Sequence, residues 1–396
     1  MLMSKSDVQR ILMESLKENQ SDLKEKKQPR DKNTGILAGV IGVGAGGGNV
    51  AHLLTGKNFI TAAFNTSKAD VSGINVDAKI ILPGIDGSGR DRAFSANEFK
   101  KSYKSFFAHD KIKQLLENDI IFIVGTGGGG TGTILSIMIA GYLKHEYPNK
   151  TVFIIGILGS IKEDLISQKN MLEFMHDLES KSAGCPYLLF DNNKVKTLGD
   201  SVYDTVNQEI ANTIRILSKN YMIENTRSNI DSRDYARLTS FSGLMSVISI
   251  NNLNISVAEE FIDIKPRIID AITKSTAVIT REPDAYAFFL NTNPENYSMI
   301  DLTFNDIQEE LGRPTAGLVF KHLQNNSEEG PEMAVIMTGM VSPVTRFAMI
   351  QKRIDEYKNM KEKSKLPDIE RSSALNLVGD RNKSDVGAGD DFLNDF

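Results

Sequence analysis

The sequence predicts an α/β fold with a parallel sheet in its first half, one long helix, and a smaller α/β domain with a mixed sheet in its second half. From Gly35 onward, short apolar runs alternate with helix-length segments, a pattern typical of parallel strands joined by right-handed crossovers. Around residues 201–217, apolar residues recur at helical spacing, which indicates a long amphipathic helix. After Leu238 the apolar runs lie farther apart, which favours a second domain with a mixed sheet.

Each predicted element rests on a run of this kind. In the first half, strands are predicted at residues 36–43, 59–65, 78–82, 120–124, 152–158 and 187–191. Helices are predicted between several of these strands, at 94–116 and 135–145. In the second half, strands are predicted at 245–250, 277–280, 317–320 and 333–338, and a late helix near 347–357.

These elements divide the chain into six segments. Residues 1–34 contain a short amphipathic helix and a charged linker, which form either a frayed terminus or an arm that packs on this subunit or on a neighbouring one. The predicted segments that follow are a first domain at 35–200, the central helix at 201–222, a second domain at 223–345, a C-terminal helix at 346–366 and an acidic tail at 367–396. The tail is predicted to be disordered because it is polar.

Charge and composition argue against several functional classes. A net charge of −5 is unsuited to coating nucleic acid directly. The single cysteine, Cys185, allows no disulfide or cysteine zinc site within the chain, and the five histidines have no metal-binding spacing. Residues 120–143 carry no charged side chain, but glycines at 127–130 would break a membrane helix at its middle. We therefore expect a cytoplasmic protein without a membrane span.

A glycine-rich loop follows the first predicted strand. Residues 42–49 read Gly-Val-Gly-Ala-Gly-Gly-Gly-Asn, and such a loop at a helix start brings backbone amides close to a phosphate. Gly42, Gly44 and Gly47 also satisfy the dinucleotide fingerprint, so an NAD-dependent dehydrogenase is an alternative. A dehydrogenase of this kind requires an acidic residue about twenty positions after the fingerprint, at the end of the next strand, to hold the ribose. This chain has Asn65 there.

A second glycine loop follows the strand at 120–124. Residues 127–133 read Gly-Gly-Gly-Gly-Thr-Gly-Thr and open a helix. No lysine follows the glycines, so this is not a Walker loop, and a dinucleotide fold has no second phosphate cradle here. A tight turn alone needs only one or two glycines, because each glycine costs backbone entropy. We interpret the loop as a triphosphate cradle that uses backbone dipoles, hydroxyl groups and a metal ion.

The two loops together resemble those of the tubulin/FtsZ family. Residues 128–133 are similar to its signature phosphate loop, with Ile134 in place of the final glycine, and residues 41–49 are similar to its first nucleotide loop. Residues 64–68 and 188–194 are closest to the TubZ-like plasmid and phage tubulins, and the resemblance covers about 36–357. It implies a Rossmann-like GTPase domain that binds GTP or GDP with Mg²⁺, without an assigned protein ligand for the metal. The residues implied to bind the nucleotide are Gly44, Ala45, Gly46, Gly47, Asn49, Asn65, Gly128, Gly129, Gly130, Thr131, Gly132 and Thr133.

Further site residues lie outside the loops. Tyr203 and Asn207 are four apart on the central helix and therefore project from one face. The resemblance implies that Tyr203 stacks on guanine and that Asn207, which carries both a donor and an acceptor, reads its edge. It also implies that Glu163 or Asp164 holds the ribose hydroxyls. Arg90, in a loop at 87–92, either stabilises charge near the γ-phosphate or belongs to a solvated turn.

The region from Asn229 to Asp234 resembles the family's synergy loop. Asn229 is predicted to cap the helix that follows, with Asp231 and Asp234 on one face of that helix. The resemblance implies that these three residues complete the active site of the next subunit, where the carboxylates position the attacking water. The active site would then exist only in the assembled state.

The expected function is that of a GTP-hydrolysing filament that positions plasmid or phage DNA. The expected partner is the chain itself, stacked head to tail, without a membrane or direct nucleic-acid contact. The acidic tail either docks on the next subunit or on a DNA-bound adaptor, or it only aids solubility. The alternatives are an FtsZ-type division protein, a nucleotide-binding scaffold without hydrolysis, and the NAD-dependent dehydrogenase.

Overall fold

The computed structural model describes residues 38–83, 86–195, 201–219, 230–251, 264–291, 297–324 and 332–363. The arm predicted at 1–34 and the tail predicted at 367–396 lie outside these ranges. The described residues belong to one compact unit.

The described residues contain ten strands and eleven α-helices. The strands are β1 Ala38–Val43, β2 Phe59–Asn65, β3 Ala78–Ile81, β4 Ile120–Thr126, β5 Thr151–Leu158, β6 Pro186–Asp191, β7 Gly243–Ile250, β8 Ala285–Asn291, β9 Leu318–Gln324 and β10 Met333–Met340. The helices are α1 Gly44–Leu54, α2 Lys68–Ser72, α3 Arg92–Ala108, α4 Asp110–Leu116, α5 Thr131–Glu146, α6 Leu165–Lys181, α7 Ser201–Lys219, α8 Ser232–Leu238, α9 Ile264–Lys274, α10 Tyr297–Leu311 and α11 Val344–Lys363.

All ten strands form a single sheet in the order β3-β2-β1-β4-β5-β6-β7-β10-β8-β9. Neighbouring strands from β3 to β7 are parallel. Strand β10 is antiparallel to β7 and β8, and β8 is parallel to β9. The predicted parallel first half and mixed second half are confirmed. The two halves share one sheet, because β6 pairs with β7.

Most strands of the parallel half are buried on both faces, whereas Lys79 of the edge strand β3 is exposed. Every residue of β1, β2 and β6 is buried, which is why these runs are apolar without alternation. Cys185, next to β6, is also fully buried, and this burial raises the pKa of its thiol to about 12. The thiol is therefore protonated and enclosed in the folded chain.

The direction of sheet growth reverses between β1 and β4. From β1 the chain builds outward to β2 and β3, whereas β4 begins on the other side of β1. Loops at the carboxyl ends of these two strands part in opposite directions, which leaves the crevice where open α/β sheets bind ligands. Both glycine loops lie at this point.

Two predicted elements differ in the structure, and one strand was not predicted. The helix predicted at 94–116 is two helices, because His109 has an extended backbone (φ −65°, ψ 129°) and its side chain caps α4. The strand predicted at 277–280 is a single bridge between Ala277 and Phe190. Strand β8 is absent from the sequence prediction, yet it pairs with both β9 and β10. Among the described residues, no helix is both long and apolar enough to span a bilayer.

Candidate functional site

The first glycine loop opens α1 directly after β1. Gly44 begins the helix in the left-handed region, with φ 74°. A side chain at Gly47 would overlap the carbonyl oxygen of Val124 in β4, and one at Gly46 would overlap the methyl group of Thr126. Glycine is needed at these positions because α1 packs directly against the end of β4.

The second glycine loop joins β4 to α5. A Cβ atom at Gly132 would lie 2.7 Å from the backbone nitrogen of Thr126, and one at Gly130 would lie 2.6 Å from the carbonyl carbon of Arg90. At Gly129 the nearest neighbour of such an atom would be Thr126 Oγ1, at 3.6 Å. The loop is therefore tightly packed at 130 and 132 and open at 129.

An open cavity of about 460 Å³ lies between the two loops and α7, within the size range of small-molecule sites. It brings together residues from six separate parts of the sequence. The predicted site residues that line it are Ala45, Gly46, Asn49, Gly128, Gly129, Glu163, Tyr203 and Asn207.

Helix α7 presents Tyr203 and Asn207 to this cavity one helical turn apart, as their spacing predicts. The Tyr203 side chain is 55% exposed, whereas Asn207 is only 8% exposed. An exposed aromatic ring is available for stacking, and a buried amide requires a hydrogen-bonding partner. The pair is suited to binding a planar ring that has polar edges.

The loop between β5 and α6 carries Glu163 to the cavity. Its Oε1 atom accepts a hydrogen bond from the Ser160 backbone nitrogen at 2.9 Å. Of the two carboxylates predicted for the ribose, only Glu163 lines the cavity. Asp164 instead caps α6 by accepting hydrogen bonds from two backbone amides of its first turn, and it forms an ion pair with Arg90.

The other predicted nucleotide-binding residues frame the loops and do not line the cavity. Asn65 is 1% exposed, and its Oδ1 atom accepts hydrogen bonds from the backbone nitrogens of Thr66 and Ser67. Thr131 Oγ1 lies 2.8 Å from Thr66 Oγ1 and so ties the start of α5 to the loop after β2. The predicted nucleotide-binding residues that do not line the cavity are Gly44, Gly47, Asn65, Gly130, Thr131, Gly132 and Thr133.

Asn192 lines the cavity as well; it lies within the 188–194 motif but is not among the predicted site residues. Its Oδ1 atom is buried and has no hydrogen-bond partner within the described residues. An unpaired buried acceptor costs about 1–3 kcal/mol, so this atom favours a ligand that donates a hydrogen bond. The signal that could have identified Asn192 is its place directly after β6, at the carboxyl edge of the sheet.

The acidic residues predicted to be catalytic are not among the residues that line the cavity. Asp231 is exposed, and its Oδ1 atom accepts hydrogen bonds at 2.8 Å from the backbone nitrogens of Arg233 and Asp234. Asp231 is therefore the N-cap of α8. The prediction that Asn229 caps this helix is wrong, and so is the placement of Asp231 on the helical face. Asn229 itself lies outside the described residues.

Within the described part of the chain, no group of three or more histidine, cysteine, aspartate or glutamate residues could hold a metal ion. The chemistry of the cavity is that of glycine-lined backbone, amides, one carboxylate and one guanidinium. Backbone amides at helix starts suit phosphate groups, and the amide side chains suit a base.

Comparison with known proteins identifies the first half of the chain. Residues 38–200 match the family model described as the Tubulin/FtsZ family, GTPase domain. The tubulin-like protein TubZ of Clostridium botulinum C phage is 28% identical over 179 residues, which cover 43% of this chain and 47% of that protein. The tubulin-like protein CetZ of Thermococcus kodakarensis is 31% identical over 191 residues, covering 45% of this chain and 49% of CetZ. The alignments thus span about half the length of these relatives.

Solved structures extend the similarity of fold beyond that half. The crystal structure of Clostridium botulinum phage c-st TubZ superposes with a TM-score of 0.64 at 20% identity, covering 83% of this chain and 99% of that one. A GTPγS-form protofilament of Bacillus thuringiensis serovar israelensis TubZ gives a TM-score of 0.64 at 16% identity, covering 83% and 94%. The tubulin-like fold predicted from the sequence is therefore confirmed, and residues 38–200 are similar to the GTPase domain of the Tubulin/FtsZ family.

Proposed function

We propose that the chain binds GTP in the cavity described above, hydrolyses it, and polymerises head to tail into filaments. The observation that carries the proposal is the cavity itself. It brings both glycine loops together with Tyr203 and Asn207, so phosphate-binding and base-binding groups line one space. The family of residues 38–200 supports GTP as the nucleotide.

The phosphates would be held mainly by the backbone. Helices α1 and α5 both begin beside the cavity, so their N-terminal amides favour an anion. Among the described residues that line the cavity there is no lysine, and Arg90 is the only cation. Mg²⁺ would be held by phosphate oxygens and water, because the described residues offer no acidic cluster for it. When bound, it would neutralise charge on the phosphates.

The base would be selected by buried amides. Asn207 offers a donor and an acceptor side by side, as the guanine edge requires. The unpartnered Oδ1 atom of Asn192 adds a second acceptor for the N–H groups of guanine. Guanine carries two adjacent donor groups for these acceptors, whereas adenine carries only one and would leave an acceptor unpaired, at a cost of about 1–3 kcal/mol or roughly tenfold to hundredfold in affinity.

Hydrolysis would need a second subunit. Asp231 is exposed and does not line the cavity of its own chain. A head-to-tail stack would present Asp231 and Asp234 to the γ-phosphate of the neighbour's GTP, where a carboxylate orients water for attack. A heterologous contact that does not close produces a filament, and similarity to a TubZ protofilament supports this arrangement.

The biological role that we propose is the positioning of plasmid or phage DNA. The phage TubZ among the relatives supports this role. The chain would act on DNA through an adaptor and not by direct contact, with the acidic tail as the docking segment. An FtsZ-type ring protein is the alternative, supported by a 31% identical stretch of 108 residues in FtsZ of Pseudomonas aeruginosa.

Direct binding titrations with GTP, ATP and NAD, each with Mg²⁺, test the nucleotide assignment. We expect GTP to bind at least about tenfold more tightly than ATP, and NAD not to bind. Asn207→Ala should remove most of the preference for GTP, whereas Asn212→Ala, an exposed position on the same helix, should preserve it. Equal affinity for GTP and ATP would overturn the assignment, and tight binding of NAD would favour a dehydrogenase.

A further inference from the structure

Helix α11 contacts the β5–α6 loop, residues 159–164, near the start of the helix. Arg346 lies in the first turn of α11 and is only 5% exposed. Its Nη2 atom donates a hydrogen bond of 2.6 Å to the carbonyl oxygen of Gly159. The same atom donates to Asp191 Oδ1 at 3.2 Å. Arg346 therefore joins three separate elements: α11, the end of β6 and the first residue of the loop.

The charge of Arg346 is matched by Asp191. Its Nε atom lies 2.9 Å from Asp191 Oδ2, which makes an ion pair without an aligned hydrogen bond. Burial lowers the pKa of the guanidinium, while the carboxylates of Asp191 and Glu163 act in the opposite direction. An arginine keeps its charge under these conditions, so the contact persists across physiological pH.

Asp191 also fixes the middle of the loop through Asn193. Asp191 Oδ1 accepts hydrogen bonds from Asn193 N at 2.9 Å and from Asn193 Nδ2 at 2.8 Å. Asn193 Oδ1 in turn accepts from the backbone nitrogen of Ile161 at 3.1 Å. The network around Arg346 thus holds the loop at two of its residues, 159 and 161.

A second contact from α11 holds the far end of the loop. The hydroxyl group of Tyr357 donates a hydrogen bond of 3.2 Å to the carbonyl oxygen of Glu163. Tyr357 follows Arg346 by eleven residues, about three helical turns, so both side chains project from one face of α11. The Arg353 guanidinium lies 4.6 Å from the centroid of the Tyr357 ring and helps to fix its position.

The loop held in this way presents Glu163 to the cavity. Glu163 Oε1 is occupied by the Ser160 backbone nitrogen, so the second oxygen remains for a ligand. That atom, Oε2, lies beside the second glycine loop, where a Cβ atom at Gly128 would be 2.9 Å away. A shift of the loop backbone would move this carboxylate relative to the phosphate loop.

We propose that Arg346 and Tyr357 are positioning residues, which hold the β5–α6 loop so that Glu163 meets the ribose hydroxyls of the bound nucleotide. This inference rests on the proposed function. It assigns to the C-terminal helix, which contributes no residue to the cavity lining, a direct part in nucleotide affinity. A change at α11 would therefore alter recognition of the sugar and leave recognition of the base unchanged.

The test compares the affinity of the full chain for GTP and for 2′,3′-dideoxy-GTP, which lacks both ribose hydroxyls. The wild-type chain should prefer GTP by about tenfold or more, as expected for a charged hydrogen bond. Glu163→Gln should abolish most of this preference, so its GTP:dideoxy-GTP affinity ratio is the lowest expected in the series. Tyr357→Phe, which removes one hydroxyl group, and Arg346→Lys, which keeps the charge beside Asp191, should each lower the GTP:dideoxy-GTP ratio several-fold. Both substitutions should lower the affinity for GTP and leave the affinity for dideoxy-GTP unchanged.

Two control variants separate positioning from a general loss of structure. Lys352→Met alters an exposed residue of the same helix, and Tyr147→Phe removes a hydroxyl group from an exposed tyrosine outside α11. Both should keep the wild-type ratio. If Tyr357→Phe and Arg346→Lys keep it too, or weaken both nucleotides equally, the inference is overturned. Equal affinity of the wild-type chain for both nucleotides also overturns the inference, but it leaves the proposed recognition of guanine unaffected. A wild-type chain that binds neither overturns the proposed function itself.

Discussion

Arg90 and Asp164 form an ion pair beside the cavity, and each side chain is about half exposed to solvent. Arg90 lines the cavity, whereas Asp164 caps α6. A half-exposed pair contributes only about 0–1 kcal/mol to stability, so Arg90 can exchange this partner for another anion at little cost. Of the two predicted interpretations of Arg90, we propose the charge-stabilising one, because Arg90 lines the cavity.

Replacement of Arg90 should therefore affect ligand binding more than folding. We expect Arg90→Gln to change the free energy of unfolding by no more than ~1 kcal/mol. It should weaken GTPγS binding more than GDP binding, because the lost cation would face the additional phosphate. Calorimetric titration with both nucleotides and thermal unfolding measure the two effects.

Arg92, two residues away, provides the matched control. It is 9% exposed and binds Glu173 at 2.6 Å as well as Asp177. Arg92→Gln should destabilise the fold by roughly 2–4 kcal/mol, somewhat less than for a fully buried pair because Glu173 is largely exposed. The GTPγS:GDP affinity ratio should not change. An Arg90→Gln chain with an unaltered ratio would show that Arg90 has no role at the phosphates.

Substitution by alanine should have different effects at different glycines of the second loop. Gly129→Ala meets no atom closer than 3.6 Å, so the fold should remain intact. Its methyl group would occupy the cavity and should weaken nucleotide binding by about 1–3 kcal/mol, the usual cost of overpacking. Thermal unfolding together with nucleotide titration measures this separation of folding from binding.

Two other glycine substitutions serve as comparisons for Gly129→Ala. Gly130→Ala would place a methyl group 2.6 Å from the backbone of Arg90 and 2.7 Å from that of Asp91, so it should lower stability as well as binding. Gly73 has φ −88° and no neighbour within 4 Å, so Gly73→Ala should affect neither. Normal nucleotide affinity in the Gly129→Ala chain would place the phosphates elsewhere.

The N-cap position of Asp231 changes how its proposed catalytic role is best tested. Asp231→Ala would remove the cap and lower the free energy of unfolding by about 1 kcal/mol. A fall in turnover could then reflect lost stability as well as a lost carboxylate. Asp231→Asn keeps a favourable cap but removes the carboxylate. We expect unchanged stability, nearly unchanged GTP binding, and turnover lowered by roughly a hundredfold, together with long-lived filaments.

A mixture of two variants tests whether Asp231 acts across the subunit contact. Subunits with Asp231→Asn retain bound GTP, and subunits with Gly129→Ala retain the carboxylate. Mixed filaments should hydrolyse GTP faster than filaments of either variant alone. A normal turnover rate for pure Asp231→Asn filaments would leave Asp231 with a capping role only.

Local patterns were sufficient to predict the parallel half of the fold. Strands β1, β2 and β6 are buried on both faces, so each appears as an apolar run between glycine or polar segments. The sequence predicts both glycine loops as phosphate sites; the structure adds a packing reason for several of these glycines, such as Gly47 against the Val124 carbonyl oxygen. The shared face of Tyr203 and Asn207 followed from helical periodicity alone.

Features that depend on distant contacts could not be predicted in this way. Residues 277–280 have the composition of a strand, but Glu209 of α7 hydrogen-bonds Ser275 and Thr276, and only one bridge forms. The extension of one sheet through both halves depends on the pairing of β6 with β7. The contact of Arg346 with Gly159 joins residues 187 positions apart, and no sequence motif indicates it.

The rate of GTP hydrolysis per subunit, measured against the concentration of the wild-type chain, tests the central claim most directly. In the proposed function the cavity would hold the nucleotide, whereas Asp231 and Asp234 do not line it. An isolated subunit would then lack part of the proposed active site. We expect turnover per subunit to be near zero at low concentration and to rise steeply above a threshold where filaments form. A rate per subunit that is the same at every concentration, or no hydrolysis at all, would contradict the claim.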